Sequence, residues 1–211
     1  MSPAAGRAAA GLLVAALLGG ACSSSSPRPS ASSGPTLPAV TLRLDQDHAP
    51  LQAPGHDAVS ARAAVGAPVS FGALVLSNTT SQPITLVAVE PGRRDDGLAY
   101  LGVRASASQS RRVFSLGAAP GAFPYPSGGA DWRRVEGLVV QPEQGGGARG
   151  VEVLVGVAAR RAGRWTLHGV SVTYDVGAQR YVTTFDDTYT VCAPARVATC
   201  DPADPGHPGD P

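Results

Sequence analysis

The sequence predicts an all-β fold, with short antiparallel strands arranged in two packed layers. Three observations carry this. Between residues 38 and 200, apolar residues alternate with polar or small ones at period two, which puts every second side chain on one face of a strand. Valine supplies many of these positions, and its branched β-carbon suits a pleated surface. The patterned runs are short and broken by turns drawn from a chain holding 26 Gly and 19 Pro.

Taken in order, Val40, Leu42 and Leu44 share one side of a first strand. In 69–78 (VSFGALVLSN), Val69, Phe71, Ala73 and Val75 share one face, with Leu74 and Leu76 on the other. Residues 79–82 are polar, and Ile84, Leu86 and Ala88 alternate beyond them, so the two runs read as a hairpin. Residues 90–97 (EPGRRDDG) read as a turn and 99–106 and 112–116 as weaker strands, and 137–140 leads into the turn PEQGGGARG. Val151, Val153, Val155 and Val157 form the clearest strand. In 165–176 the phase changes. Trp165 and Leu167 precede Gly169, while Val170, Val172, Tyr174 and Val176 follow it, which predicts a bulge at Gly169. Residues 180–191 close the series. Strands of this number, about seven to nine, spaced by such turns read as a single immunoglobulin-like antiparallel β-sandwich, with a closed barrel as the alternative. About 160 residues can bury one real core.

The N-terminus has a different composition. Residues 8–18 (AAAGLLVAALL) follow Arg7 as an apolar run of eleven, too short to span a bilayer but suited to the apolar part of a secretory signal. Small residues Gly19, Gly20 and Ala21 lead to Cys22, and 23–37 (SSSSPRPSASSGPTL) has the make-up of a flexible tether. The expected organisation is a signal peptide over 1–21, a lipidated cysteine and tether over 22–37, the sandwich over 38–200 and a disordered tail over 201–211.

The stretch from Leu17 to Cys22 resembles the lipobox of bacterial lipoproteins, roughly Leu, small, small, Cys. It departs in having Gly19 three places before the cysteine, with Leu18 one place early. The resemblance implies that Cys22 carries a thioether-linked diacylglycerol and a further acyl chain of the palmitate type. It implies anchoring to the outer face of the bacterial cytoplasmic membrane, since two or more acyl chains hold a protein there stably. An ordinary signal peptidase acting after Ala21 would instead give a secreted protein. With its tether and β-rich body, the whole chain resembles the small cell-envelope lipoproteins of high-GC actinobacteria. That family likeness speaks to location and carries no activity across.

All 17 basic residues are arginine, as a GC-rich genome favours. Without lysine there is no Walker A loop, no Schiff-base lysine and no S-x-x-K nucleophile pair. Loss of Arg7 with the leader leaves 16 arginines against 16 acidic residues, so no concentrated basic face and no nucleic-acid partner is expected. The partners expected are the membrane, through the anchor, and an envelope protein or cell-wall polymer. No cofactor and no metal is expected. Cys192 and Cys200, eight apart in an exported chain, read as a disulfide.

Candidate site residues are few. Phe123, Tyr125 and Trp132 lie in or beside a proline-stiffened segment and either cover the open end of the sandwich as local core, the favoured reading, or form a platform for sugars or peptides. Asp186 and Asp187 are adjacent on a strand, so they point to opposite faces and make a poor carboxylate dyad unless a bulge intervenes. His168 sits in a strand, and Asp45, Asp47 and His48 form a polar loop without the glycine and distal glutamate of a calcium loop. The pairs Arg93-Arg94, Arg111-Arg112, Arg133-Arg134 and Arg160-Arg161 fit solvated strand ends, or, if gathered on one side, contact with anionic headgroups or wall polymers; Arg93-Arg94 is followed by Asp95-Asp96, which would neutralise it. The functional expectation is a non-catalytic binding module of the cell envelope. The alternatives are a hydrolase using loop carboxylates and a structural subunit of an envelope complex.

Overall fold

The computed structural model describes residues 40–53, 58–106, 117–126, 131–143, 150–196 and 200, all of them within the unit Pro38–Pro211. Among these residues the strands are β1 (Thr41–Leu44), β2 (Leu51–Gln52), β3 (Ala58–Arg62), β4 (Pro68–Asn78), β5 (Ile84–Arg94), β6 (Leu98–Ser106), β7 (Ala118–Pro120), β8 (Trp132–Arg133), β9 (Val139–Val140), β10 (Val151–Ala159), β11 (Gly163–Val176) and β12 (Gln179–Ala193). The chain is all-β, and these strands form two six-stranded sheets. One runs β1-β12-β11-β5-β9 with β3 also on β12; the other runs β2-β4-β10-β6-β8 with β7 also on β4. The strand number exceeds the seven to nine expected. The surplus comes from β2, β7, β8 and β9, each two or three residues long, too short to show any period. The expected strand 112–116 and Arg111-Arg112 lie outside the described residues.

The expected hairpin of β4 and β5 does not exist: the two strands lie in different sheets, and residues 79–83 carry the chain across. Asn78 holds this corner. Its amide nitrogen donates to Gln82 O (2.7 Å) and Val140 O (3.0 Å), and its Oδ1 accepts from Thr80 N (2.9 Å) and Thr80 Oγ1 (2.8 Å). A buried amide satisfied on both ends fixes a turn that alternation alone could not distinguish from a hairpin.

Bulges set which residues face inward. In β4 the register against β10 shifts between Val153 and Leu154, leaving Ala73 as the extra residue. Leu74 and Leu76 therefore join Phe71 in the core, and Val75 points away from it, the reverse of the expected assignment. In β11, Gly169 (φ 74°) faces both Asp186 and Asp187, which confirms the expected bulge. Leu167 and Val170, either side of it, both reach the core.

The expected turn over 90–97 shrinks to 95–97, because β5 continues through Pro91 and Gly92 to Arg94. Pro91 is tolerated because this half of β5 is an edge. Gly92 is required because a Cβ there would lie 2.2 Å from His168 O in β11. β1 is also an edge, parallel to β12, and leaves Val40 and Leu42 exposed.

One apolar cluster joins the inner faces of the two sheets. Phe71 of β4 and Tyr189 of β12 meet at 5.4 Å between ring centres, and the Tyr189 hydroxyl donates to the Ala73 carbonyl (2.9 Å), with an Asp187 carboxylate oxygen 3.1 Å away. Each such large side chain stabilises the fold by roughly 1.5–3 kcal/mol through burial. The Cys192–Cys200 disulfide, with Cα atoms 5.9 Å apart, fastens the segment after β12 back to that strand.

Two outcomes follow from these contacts. Replacing both cysteines (Cys192→Ser with Cys200→Ser) is expected to lower unfolding free energy by ~2–3 kcal/mol, the chain-entropy value for so short a loop. Urea midpoints within a few tenths of the parent's would contradict this. Burial raises the hydroxyl pKa of Tyr174, and that of Tyr189 too, where the Asp187 carboxylate adds to the effect. The folded protein thus keeps protons that the unfolded chain loses from about pH 10. This stability is complete below pH 10 and declines as pH rises above it. A urea midpoint that stays flat from pH 8 to 11 would exclude it.

Candidate functional site

β10 is buried on both faces along its whole length. Its odd-numbered residues from Val151 to Ala159 enter the core, so Leu154, Gly156 and Ala158 face outward and must be covered by something else. Over Gly156 the cover is the segment that follows β7. Across the outer face runs a row of small residues, Ser70 of β4, Gly156 of β10 and Gly102 of β6. Ser70 Oγ donates to Ala122 O (2.7 Å). The Phe123 ring lies on Gly156 so closely that a Cβ there would sit 2.4 Å from it. The Arg104 guanidinium stands 6.0 Å from the centre of the same ring, and its Nη1 donates to Val103 O (2.7 Å).

Trp132, on β8, donates its Nε1 proton to Tyr125 O (2.9 Å). Phe123 and Trp132 are half-buried, and Tyr125 is 36% exposed. The strap 121–126 thus closes a sheet face, where the sequence had suggested the open end of the sandwich. The reason is the small-residue row, whose partners come from three separate strands.

A recess opens beside this strap. Among the described residues β9 pairs with β5 at Ile84 and Thr85, and β8 pairs with β6 at Ala105 and Ser106. The remaining lengths of β5 and β6 are sheet edges, and between them lie two adjoining cavities of about 300 and 510 Å³ that share Val89 and Tyr100. Val89, Val103 and Val135 supply an apolar floor, and the rim carries Arg94, Arg104, Arg134, Glu90 and Glu136. This volume falls in the ~300–1,000 Å³ range of small-ligand sites. The Arg94 guanidinium lies 5.8 Å from the centre of the Tyr100 ring. Burial and the nearby Glu90 raise the Tyr100 pKa, while Arg94 and Arg104 pull the other way; the hydroxyl stays neutral at pH 7 and can both donate and accept.

The arginines divide into two groups. Arg161 pairs with Asp96 (2.9 Å), Arg180 with Asp175 (2.8 Å), and Arg133 with Asp131, and the guanidinium partners hold the Asp175 and Asp131 carboxyls below their usual range. Among the described residues no ion pair engages Arg94, Arg104 or Arg134. Arg93-Arg94 is not neutralised by its neighbours as expected. Asp96 turns to Arg161, and Asp95 accepts the backbone N–H of Thr166 at 2.7 Å.

Other expected candidates do not assemble. Asp186 is exposed and Asp187 buried, on opposite faces of β12 even at the bulge. Among the described residues no hydrogen bond or ion pair joins His168 to either. Asp45 and His48 approach to 3.7 Å on the surface, and no group of three His, Cys, Asp or Glu that could hold a metal occurs among the described residues. Cys22 lies outside them. Sequence reasoning missed Tyr100, Val103, Glu90 and Glu136 altogether; Arg94 and Arg134 carried a signal only as members of the recurring arginine pairs. Compared with known proteins, the chain matches no protein-family model and no curated protein.

Gly156→Ala is expected to expel the Phe123 ring and cost ~1–3 kcal/mol by overpacking. It should also loosen the Trp132–Tyr125 contact, read as a change in tryptophan fluorescence. An unchanged unfolding midpoint together with an unchanged spectrum would refute the strap's role.

Proposed function

We propose that this chain is a lipid-anchored binding module of a bacterial cell envelope, held outside the cytoplasmic membrane by Cys22 and the tether 23–37. The observation that carries the binding role is the recess between β5 and β6, lined by Val89, Val103 and Val135 and ringed with charged groups, Glu90, Arg94 and Arg104 on strands and Arg134 and Glu136 just after β8. The disulfide supports the compartment, since such bonds persist where thiols are not kept reduced. The body is read as a single immunoglobulin-like domain over 38–200. In support, the orders β2-β4-β10-β6 and β12-β11-β5 correspond to the A-B-E-D and G-F-C sheets of that fold, with the short strands β7, β8 and β9 inserted between the D and E positions.

Expression of the full chain in a high-GC Gram-positive host tests this reading. Mass spectrometry is expected to find a mature protein that begins at an acylated Cys22, in the membrane fraction, and Cys22→Ser is expected to move it out of that fraction. The protein is also expected to co-sediment with purified insoluble cell wall. An intact leader in the cytosol, or an unmodified first residue, would overturn the placement. Failure to sediment with the wall would overturn a wall polymer as partner.

A further inference from the structure

We infer that the recess between β5 and β6 binds an acidic glycan, a polyhydroxylated chain bearing carboxylate or phosphate groups, with Arg94 and Arg134, one in each of the two adjoining cavities, taking its acidic groups. This rests on the reading of the chain as an envelope binding module and names the ligand for it.

The first support is the division of the arginines. Arg133, Arg161 and Arg180 each pair with an aspartate, whereas among the described residues no ion pair engages Arg94, Arg104 or Arg134, although Glu90 and Glu136 share the rim. Two of them have an aromatic ring nearby, Arg94 at 5.8 Å from the Tyr100 ring centre and Arg104 at 6.0 Å from that of Phe123. A cation beside an aromatic ring is attracted by it and keeps its N–H donors for a ligand. The guanidinium fork matches a carboxylate or a phosphate.

The second support is the company these arginines keep. Two carboxylates at the rim disfavour a densely anionic ligand and accept hydrogen bonds from hydroxyls, as does the neutral Tyr100 hydroxyl. A sugar chain with spaced acidic groups satisfies both sets. An acidic polypeptide added as an extra strand fits less well. Pro91 removes a backbone donor from β5, and the charges of Glu90, Arg93 and Arg94 blunt that edge.

Titration calorimetry on the full chain in detergent tests the assignment with four probes of equal length: an oligogalacturonate, a poly(glycerol phosphate), a neutral galactan and a polyglutamate. Binding of either of the first two at least about tenfold more tightly than the neutral galactan is expected, weakening as salt rises. The preferred one of the two identifies carboxylate or phosphate as the source of the oxyanion. Arg94→Gln and Arg134→Gln are each expected to weaken it by roughly tenfold or more, and Arg133→Gln, already paired to Asp131 outside the recess, by less than about twofold. Unchanged thermal midpoints show that these variants fold.

Equal affinity for acidic and neutral glycans, tightest binding to polyglutamate, absence of binding to any probe, or acidic binding indifferent to Arg94 and Arg134 would each overturn the inference. Any of these found with Cys22 acylated leaves the envelope reading intact. An unprocessed leader with arginine-dependent binding would do the reverse.

Discussion

The constraint on which the rest of the molecule depends is the double burial of β10. A central strand of a two-layer fold ordinarily spends one face on the core and the other on water. Here the inner face is four valines and Ala159 and the outer face is Glu152, Leu154, Gly156 and Ala158, all buried, so the outer face also needs a lid. The lid is built from the segment after β7, and its position is set by the absence of side chains at Gly156 and Gly102. Phe123 fills that absence. Arg104 lies 6.0 Å from the Phe123 ring centre, Trp132 hydrogen-bonds behind Tyr125, and the same region of β6 then forms one wall of the recess. A glycine in the middle of a strand thus connects core packing to the recess between β5 and β6.

The two sheets are held in relative position by a few polar contacts set within apolar surroundings. The Tyr189 hydroxyl reaches the carbonyl of the bulged Ala73, so a group that a regular ladder would satisfy is satisfied from the facing sheet. Asn78 does the same at the corner, closing the route from β4 to β5. Both contacts are buried, where an unmet polar group costs about 1–3 kcal/mol. They penalise alternative registers more than they add raw stability, and so help select one arrangement from the several that valine-rich strands permit.

Charge is scarce, at 16% of residues, and how it is placed matters more than how much there is. The pairs Arg161–Asp96, Arg180–Asp175 and Arg133–Asp131 are solvent-accessible and add little to stability. They do remove those arginines from competition for ligands. Three arginines without an ion pair among the described residues, Arg94, Arg104 and Arg134, lie where the edges of β5 and β6 face each other. Arginine, unlike lysine, can be oriented there by an aromatic ring without losing its hydrogen-bonding fork.

The sequence by itself determined the all-β class, the long strands β10, β11 and β12, the bulge at Gly169 and the Cys192–Cys200 pairing. Each of these is local: period two, a phase change across one glycine, or two cysteines eight residues apart. Tertiary structure alone decided that β4 and β5 belong to different sheets, that Leu74 rather than Val75 is core, and that Pro91 and Gly92 continue a strand. Alternation says that a residue has two sides but not which sheet it joins, and a one-residue bulge reverses every assignment beyond it. The recess was illegible for the same reason. Glu90 and Arg94 on β5, Tyr100 and Arg104 on β6, and Arg134 beyond β8 are far from any shared motif, and only the packing of two sheets brings their side chains to one edge.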